Sequence, residues 1–251
     1  LVAAIAVVVS GSCLVLGSFQ GIIENAPDIA SVNVSPEGFA TKIYDSDENE
    51  IQTLSSAGAN RTYVTIDQIP KDLQHAFIAI EDERFYEHNG IDMRGILRAA
   101  SITLSSGEMS QGASTITQQL LKNNVFNAFN ESTIEKIKRK VQEQYLAIKL
   151  ETVMSKDSIL ENYLNTINLG NGYYGVQAAA RGYFNKDVSE LSISECAVIA
   201  SITKSPTGLN PIRHADRNKD RQSQVLLNMK EQEYISQEEY DEAVSDDVYA
   251  R

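Results

Sequence analysis

Basic residues are scarce in this sequence: 22 Lys and Arg stand against 34 Asp and Glu, for a net charge of −12. A surface of that sign repels phosphate backbones, which excludes broad nucleic-acid binding and requires any anionic ligand to meet a local basic patch. Cysteine and histidine are scarce as well. Cys13 lies inside an apolar run and Cys196 in an apolar helical segment, so neither placement suggests a disulfide or a metal site. His75, His88 and His214 lack the close spacing of a zinc motif, which argues against a catalytic metal held by histidines. Charge is absent altogether from residues 1–19.

That uncharged run would span about 29 Å as a helix, close to the hydrocarbon thickness of a bilayer. It is longer than the apolar core of a signal peptide, and residues 1–23 are expected to form a transmembrane anchor. Its start carries no basic flank, so orientation is not legible from positive charge. The 251 residues leave room for one sizeable domain beyond it. Residues 24–64 turn polar, with Pro27, Pro36, Gly38 and Gly58, and read as a connector. The β-prone pieces at 40–44 and 63–66 are expected strands. Helical signals then dominate. Pro70 suits a first helical position, and Leu73, Phe77 and Ile80 follow one face. Ser132 with Glu135, Ser192 with Glu195, and Ser236 with Glu239 have the spacing of reciprocal N-terminal boxes. Gly170, Gly172, Gly175 and Gly182 mark tight turns and close packing.

Three constellations carry chemistry. Glu81 directly follows the apolar helical stretch 76–80 and opens the run Glu81-Asp82-Glu83-Arg84-Phe85-Tyr86-Glu87-His88. A carboxylate placed where a core helix meets a cleft is expected to be raised towards neutrality, which suits general acid or base work. The bland reading is a solvated acidic helix end. Next, Gly112-Ala113-Ser114-Thr115-Ile116-Thr117-Gln118-Gln119-Leu120-Leu121-Lys122 is dense in groups that could hold sugar hydroxyls and a phosphate, against the alternative of an ordinary capped helix. Third, Lys136, Lys138, Arg139 and Lys140 concentrate positive charge before Glu143. Arg139 lies four residues and Lys140 three before that carboxylate, so all three share a helix face. The alternative is a solvated face with weak salt bridges.

In this order, and continued by 156–165, Gly170, Gly175, Tyr183, Lys204-Ser205-Pro206 and Asn210-Pro211, these runs closely resemble glycosyltransferase family 51. That family comprises the peptidoglycan polymerase domains of class A penicillin-binding proteins and monofunctional transglycosylases. The resemblance covers 65–243, leaving 244–251 as the start of a linker. It implies a mainly α, lysozyme-like helical domain with a small membrane-proximal jaw subdomain, preceded by the transmembrane helix and placed outside the bacterial cytoplasmic membrane. It implies polymerisation of lipid II onto a growing β-1,4-linked glycan strand, with inversion and release of polyprenyl pyrophosphate. Glu81 matches the general base and Glu143 the second functional carboxylate. Lys122, Arg139 and Lys140 match cations around the departing pyrophosphate, and Ser114, Gln118 and Gln119 match the donor pocket. Asp82, His88 and Arg98 match recurrent positions, His88 with a structural role and a substrate contact both open, while Asn165 holds the fold. No cofactor is required, though a divalent cation assisting pyrophosphate departure is compatible with the sequence. Other cell-wall synthesis proteins are conceivable partners.

One departure stands out: Glu131 occupies the place of a family arginine, which leaves Lys136 and Lys138 as candidates to supply that charge. Ser201-Ile202-Thr203-Lys204 fits the Ser-x-x-Lys pattern of transpeptidases, but no Lys-Thr-Gly run accompanies it, and it reads as coincidental. A lysozyme-like glycosidase would also use paired carboxylates, yet it needs no pyrophosphate clamp. A non-catalytic membrane scaffold would dispense with the carboxylates, and both are present.

Overall fold

The computed structural model describes residues 17, 19–36, 38, 41–47, 50–54, 61–106, 112–126 and 131–250. Apart from Gly17 and Phe19, the apolar segment 1–19 lies outside them. Among the described residues no helix is long and apolar enough to cross a membrane. The fold is mainly helical, as expected. A hairpin pairs β1 (Thr41–Tyr44) antiparallel with β2 (Glu50–Leu54), with a bulge between Ile43 and Tyr44. The other expected strand, at 63–66, does not form. There the Asn165 side chain takes the place of a partner strand: its Oδ1 accepts from the Val64 amide at 3.0 Å and its Nδ2 donates to the Val64 carbonyl at 2.8 Å.

The helices are α1 (Lys71–Glu81), α2 (Met93–Ser106), α3 (Ile116–Asn124), α4 (Thr133–Val153), α5 (Lys156–Thr166), α6 (Val176–Phe184), α7 (Ile193–Ser201), α8 (Ala215–Glu231) and α9 (Gln237–Ser245). Pro70 is the cap of α1 and not its first helical residue. The serine boxes at the starts of α4, α7 and α9 are all formed, each satisfying amides that a helix start leaves unpaired. Beyond α9 the chain turns back. Val248 is buried, and the Tyr249 hydroxyl donates to Asn218 on α8.

One core joins these helices apart from α2, which contributes no residue to it. Helix α1 packs between α7 and α8, while α3 packs against α4 and α5. Leu73, Phe77 and Ile78 of α1 are fully buried with Leu120, Leu146, Leu160, Tyr163 and Ile199. Each such side chain contributes about 1.5–3 kcal/mol through burial. Phe77 meets Tyr163 edge-on, with ring centroids 6.0 Å apart. The result is that α1, carrying the first acidic motif at its end, is clamped on both sides by apolar contacts.

Candidate active site

Glu81 is the last residue of α1, the end at which the helix dipole disfavours negative charge. Two neutral donors offset that cost. Gln119 Nε2 of α3 donates to Glu81 Oε2 at 2.8 Å, and the Thr203 hydroxyl, in the 3-10 turn Ile202–Lys204, donates to Oε1. Gln119 is itself fixed, since its Oε1 accepts from the buried Tyr163 hydroxyl at 3.2 Å. Beside the carboxylate opens a polar cavity of about 440 Å³, lined by Glu81, Glu83, Arg98, Asn228, Glu231 and Gln232 among others. Asn228 and Gln232 both donate to the Ala79 carbonyl at 3.1 Å, which ties the wall formed by α8 and its end to the last turn of α1. Arg98 is largely exposed on α2, with its guanidinium 3.4 Å from Glu83.

Asp82 is buried and serves as a remote cap. Its Oδ2 accepts from the Ile116 amide at 2.9 Å, the favourable end of α3 for a carboxylate. His88 Nε2 lies 2.9 and 3.0 Å from the two Asp82 oxygens, while its Nδ1 accepts from the Gly90 amide at 3.2 Å. That pair of contacts ties His88 both to Asp82 and to the loop at Gly90. Gly90 adopts φ +86, and a Cβ there would stand 2.5 Å from the Ala147 carbonyl carbon of α4, so only glycine lets the motif loop press this close. The Gly90 carbonyl accepts from Thr115 at 2.8 Å and from Gln118 Nε2 at 3.3 Å. Gln118, expected in a donor pocket, is therefore buried in the wall with its amide engaged.

The third constellation assembles as its helical spacing predicts. Glu143 is fully buried on α4, bonded to Arg139, with Lys140 Nζ 2.6 Å from its Oε2. Lys140 thus meets Oε2 as an ion pair, while Arg139 takes Oε1. Lys140 also donates to Ser114 Oγ at 3.2 Å, which brings the second motif to the third. Glu131 does more than vacate a position: it accepts from Arg139 Nε at 2.8 and 3.0 Å, so Arg139 is shared between two carboxylates. Those hydrogen bonds hold the Glu131 carboxyl below its ordinary range. Lys136 and Lys138 are exposed on α4, and Lys122 is exposed in the last turn of α3. Cys196 is buried in α7, and burial pushes its thiol far above the ordinary range, in keeping with an inert role. Thr203, Tyr163, Asn228 and Gln232 carry no signal in the sequence that ties them to Glu81.

A half-buried carboxylate in a polar cavity, beside a buried carboxylate that gathers cations, on a helical scaffold, defines a carboxylate-cleft domain of the transglycosylase kind. The chain belongs to the Transglycosylase family, whose match covers residues 47–230. It is 42% identical over 250 residues to penicillin-binding protein 1A of Escherichia coli (strain K12), covering 100% of this chain and 29% of that protein. It is 45% identical over 200 residues to penicillin-binding protein 1F of Bacillus subtilis (strain 168), covering 80% of this chain and 27% of that one. Among solved structures, that of penicillin-binding protein 1A from Haemophilus influenzae aligns with a TM-score of 0.45 and 27% identity, over 82% of this chain and 20% of that chain. The chain thus spans less than a third of the length of these relatives.

Proposed function

We propose that the chain is a peptidoglycan glycosyltransferase that joins lipid II to a growing glycan strand, inverting the anomeric centre and releasing polyprenyl pyrophosphate. The observation that carries this reading is the setting of Glu81: both oxygens are oriented by neutral donors and the carboxylate lines a polar cavity suited to sugar hydroxyls. In this mechanism Glu81 accepts the proton of the acceptor's 4-hydroxyl as that oxygen attacks the donor's anomeric carbon. The C–O bond to the pyrophosphate breaks as the new glycosidic bond forms, and the leaving group takes the electron pair. Lys122, Arg139 and Lys140 stabilise the charge that develops there, with Glu143 holding the latter two in place. Asp82 and His88 hold the motif in place through their contacts with each other and with the start of α3.

The proposed setting is the outer face of the bacterial cytoplasmic membrane, with residues 1–23 as a single-pass anchor that confines the cleft to the surface where lipid-linked substrate emerges. Incubation with labelled lipid II tests the assignment. Glycan polymer is the expected product. Degradation of preformed glycan would instead identify a lysozyme-like glycosidase, and a folded but inert chain a scaffold.

A further inference from the structure

The ion pairs of the third constellation balance one another. Arg139 and Lys140 meet Glu143, and Arg139 also meets Glu131, so two cations face two carboxylates. The two carboxylates differ in how firmly they are held. Glu143 lies within α4, is sealed from solvent and has each oxygen against a cation. Taking it away would leave two cations beside each other without their shared anion. Glu131 stands just before the Ser132 cap, so its backbone is outside the helix. Both of its oxygens share the single Nε–H of Arg139, at 2.8 and 3.0 Å, a weaker geometry than the parallel two-nitrogen fork that a guanidinium can offer. Those bonds hold the Glu131 carboxyl below its ordinary range, so it stays charged near neutrality and a proton does not release Arg139 there.

An anion that approaches this group therefore finds one carboxylate it can displace. A phosphate brings more oxygens and more charge than a carboxylate and takes a guanidinium as a fork. That offsets the advantage Glu131 has from being tethered on the same chain as its partner. We propose that Glu131 is a built-in stand-in for phosphate: it holds Arg139 between turnovers, yields it to the phosphate of the lipid-linked substrate, and takes it back as the pyrophosphate departs. This rests on the transglycosylase reading of Arg139 and Lys140 as cations around the leaving group. Glu131 is then a positioning residue that acts through Arg139, and its presence weakens phosphate binding and speeds release. A carboxylate that merely aims Arg139 at substrate would strengthen phosphate binding, so the two roles predict effects of opposite sign.

The test is titration calorimetry of the chain in detergent micelles at about 0.15 M salt, with inorganic pyrophosphate as the probe. Glu131→Gln raises the affinity about threefold to tenfold, and Glu131→Ala repeats the gain. Unchanged or weaker binding in both overturns the proposal. Glu135→Gln removes the same charge one turn along α4 and keeps the capping box, since glutamine serves at that position too. It changes the affinity by less than about twofold, and a gain equal to that of Glu131→Gln would reduce the effect to general charge and overturn the stand-in. With short-chain lipid II, Glu131→Gln lowers KM about threefold without raising kcat. Unchanged KM beside raised pyrophosphate affinity would overturn the assignment to the substrate's phosphate. Raised pyrophosphate affinity in a chain that makes no polymer would keep the displaceable carboxylate and reject the transferase reading, whereas polymer formed with unchanged affinity would do the reverse.

Discussion

Glu81 and Glu143 are the same side chain in opposite settings. Glu81 is half-buried, faces a polar cavity, and is oriented by an amide and a hydroxyl that carry no charge. Glu143 is sealed from solvent and surrounded by Arg139 and Lys140. A base must keep a lone pair free for a proton, so neutral donors that aim it without neutralising it suit that task. A carboxylate committed to two cations has no such freedom. It instead holds positive charges in one place, and buried charges of this kind are stable only as a group. On the proposed mechanism, the contrast separates a group that reacts from one that organises.

The strongest test of that division is Glu81→Gln. The amide keeps the shape and can still meet Thr203, so the thermal midpoint should barely move while polymerisation falls at least about 10²-fold and lipid II binding is largely spared. Near-normal turnover would remove Glu81 from the chemistry. Glu143→Gln should behave in the reverse manner, because it leaves Arg139 and Lys140 facing each other without their shared anion. We expect a loss of about 1–3 kcal/mol in denaturant unfolding, with activity reduced in parallel. Unaltered stability together with lost turnover would give Glu143 a reacting role and erase the contrast.

Smaller effects sharpen it. Lys122→Ala and Lys140→Ala should each lower kcat/KM about tenfold without altering stability by more than about 1 kcal/mol, since both side chains are substantially exposed. The combination of Lys140→Ala with Glu143→Gln, analysed as a double-mutant cycle, should show strong coupling, whereas Lys140→Ala with Glu81→Gln should be close to additive. Smallest of all, Thr203→Val removes one of the two donors that aim Glu81. Turnover should drop about threefold to tenfold with lipid II affinity intact, and a steady-state comparison of kcat against KM reads that directly. No change in kcat would show that Gln119 alone orients the base.

Much of this architecture was legible because it is local. Ser132, Ser192 and Ser236 announce helix starts three residues ahead of their glutamates, and the structure closes each box. The pairing of Arg139 and Lys140 with Glu143 follows from helical periodicity alone. The misreadings came where a distant group replaced a local one. Residues 63–66 look like a strand, but the Val64 amide and carbonyl are satisfied by Asn165, about 100 positions away, and the Ile66 amide by Glu161, not by a neighbouring strand. The bond from Gln118 to the Gly90 carbonyl, 28 positions away, is another contact that no local spacing announces. Glu131 stands where the family has an arginine, and in the folded chain it pairs with Arg139.

By itself, then, the order of residues determined the helices, their apolar faces, the cationic cluster on α4 and the family to which these motifs point. Those features depend on hydrogen bonds and side-chain neighbours within a turn or two, where chain connectivity already brings the groups together. Only the tertiary structure decided what surrounds Glu81. Gln119 reaches Glu81 across 38 positions and Thr203 across 122, and Asp82 caps a helix that starts 34 positions later. Contacts of that range are set by which apolar faces pack together, and no spacing in the sequence encodes them until the core has formed.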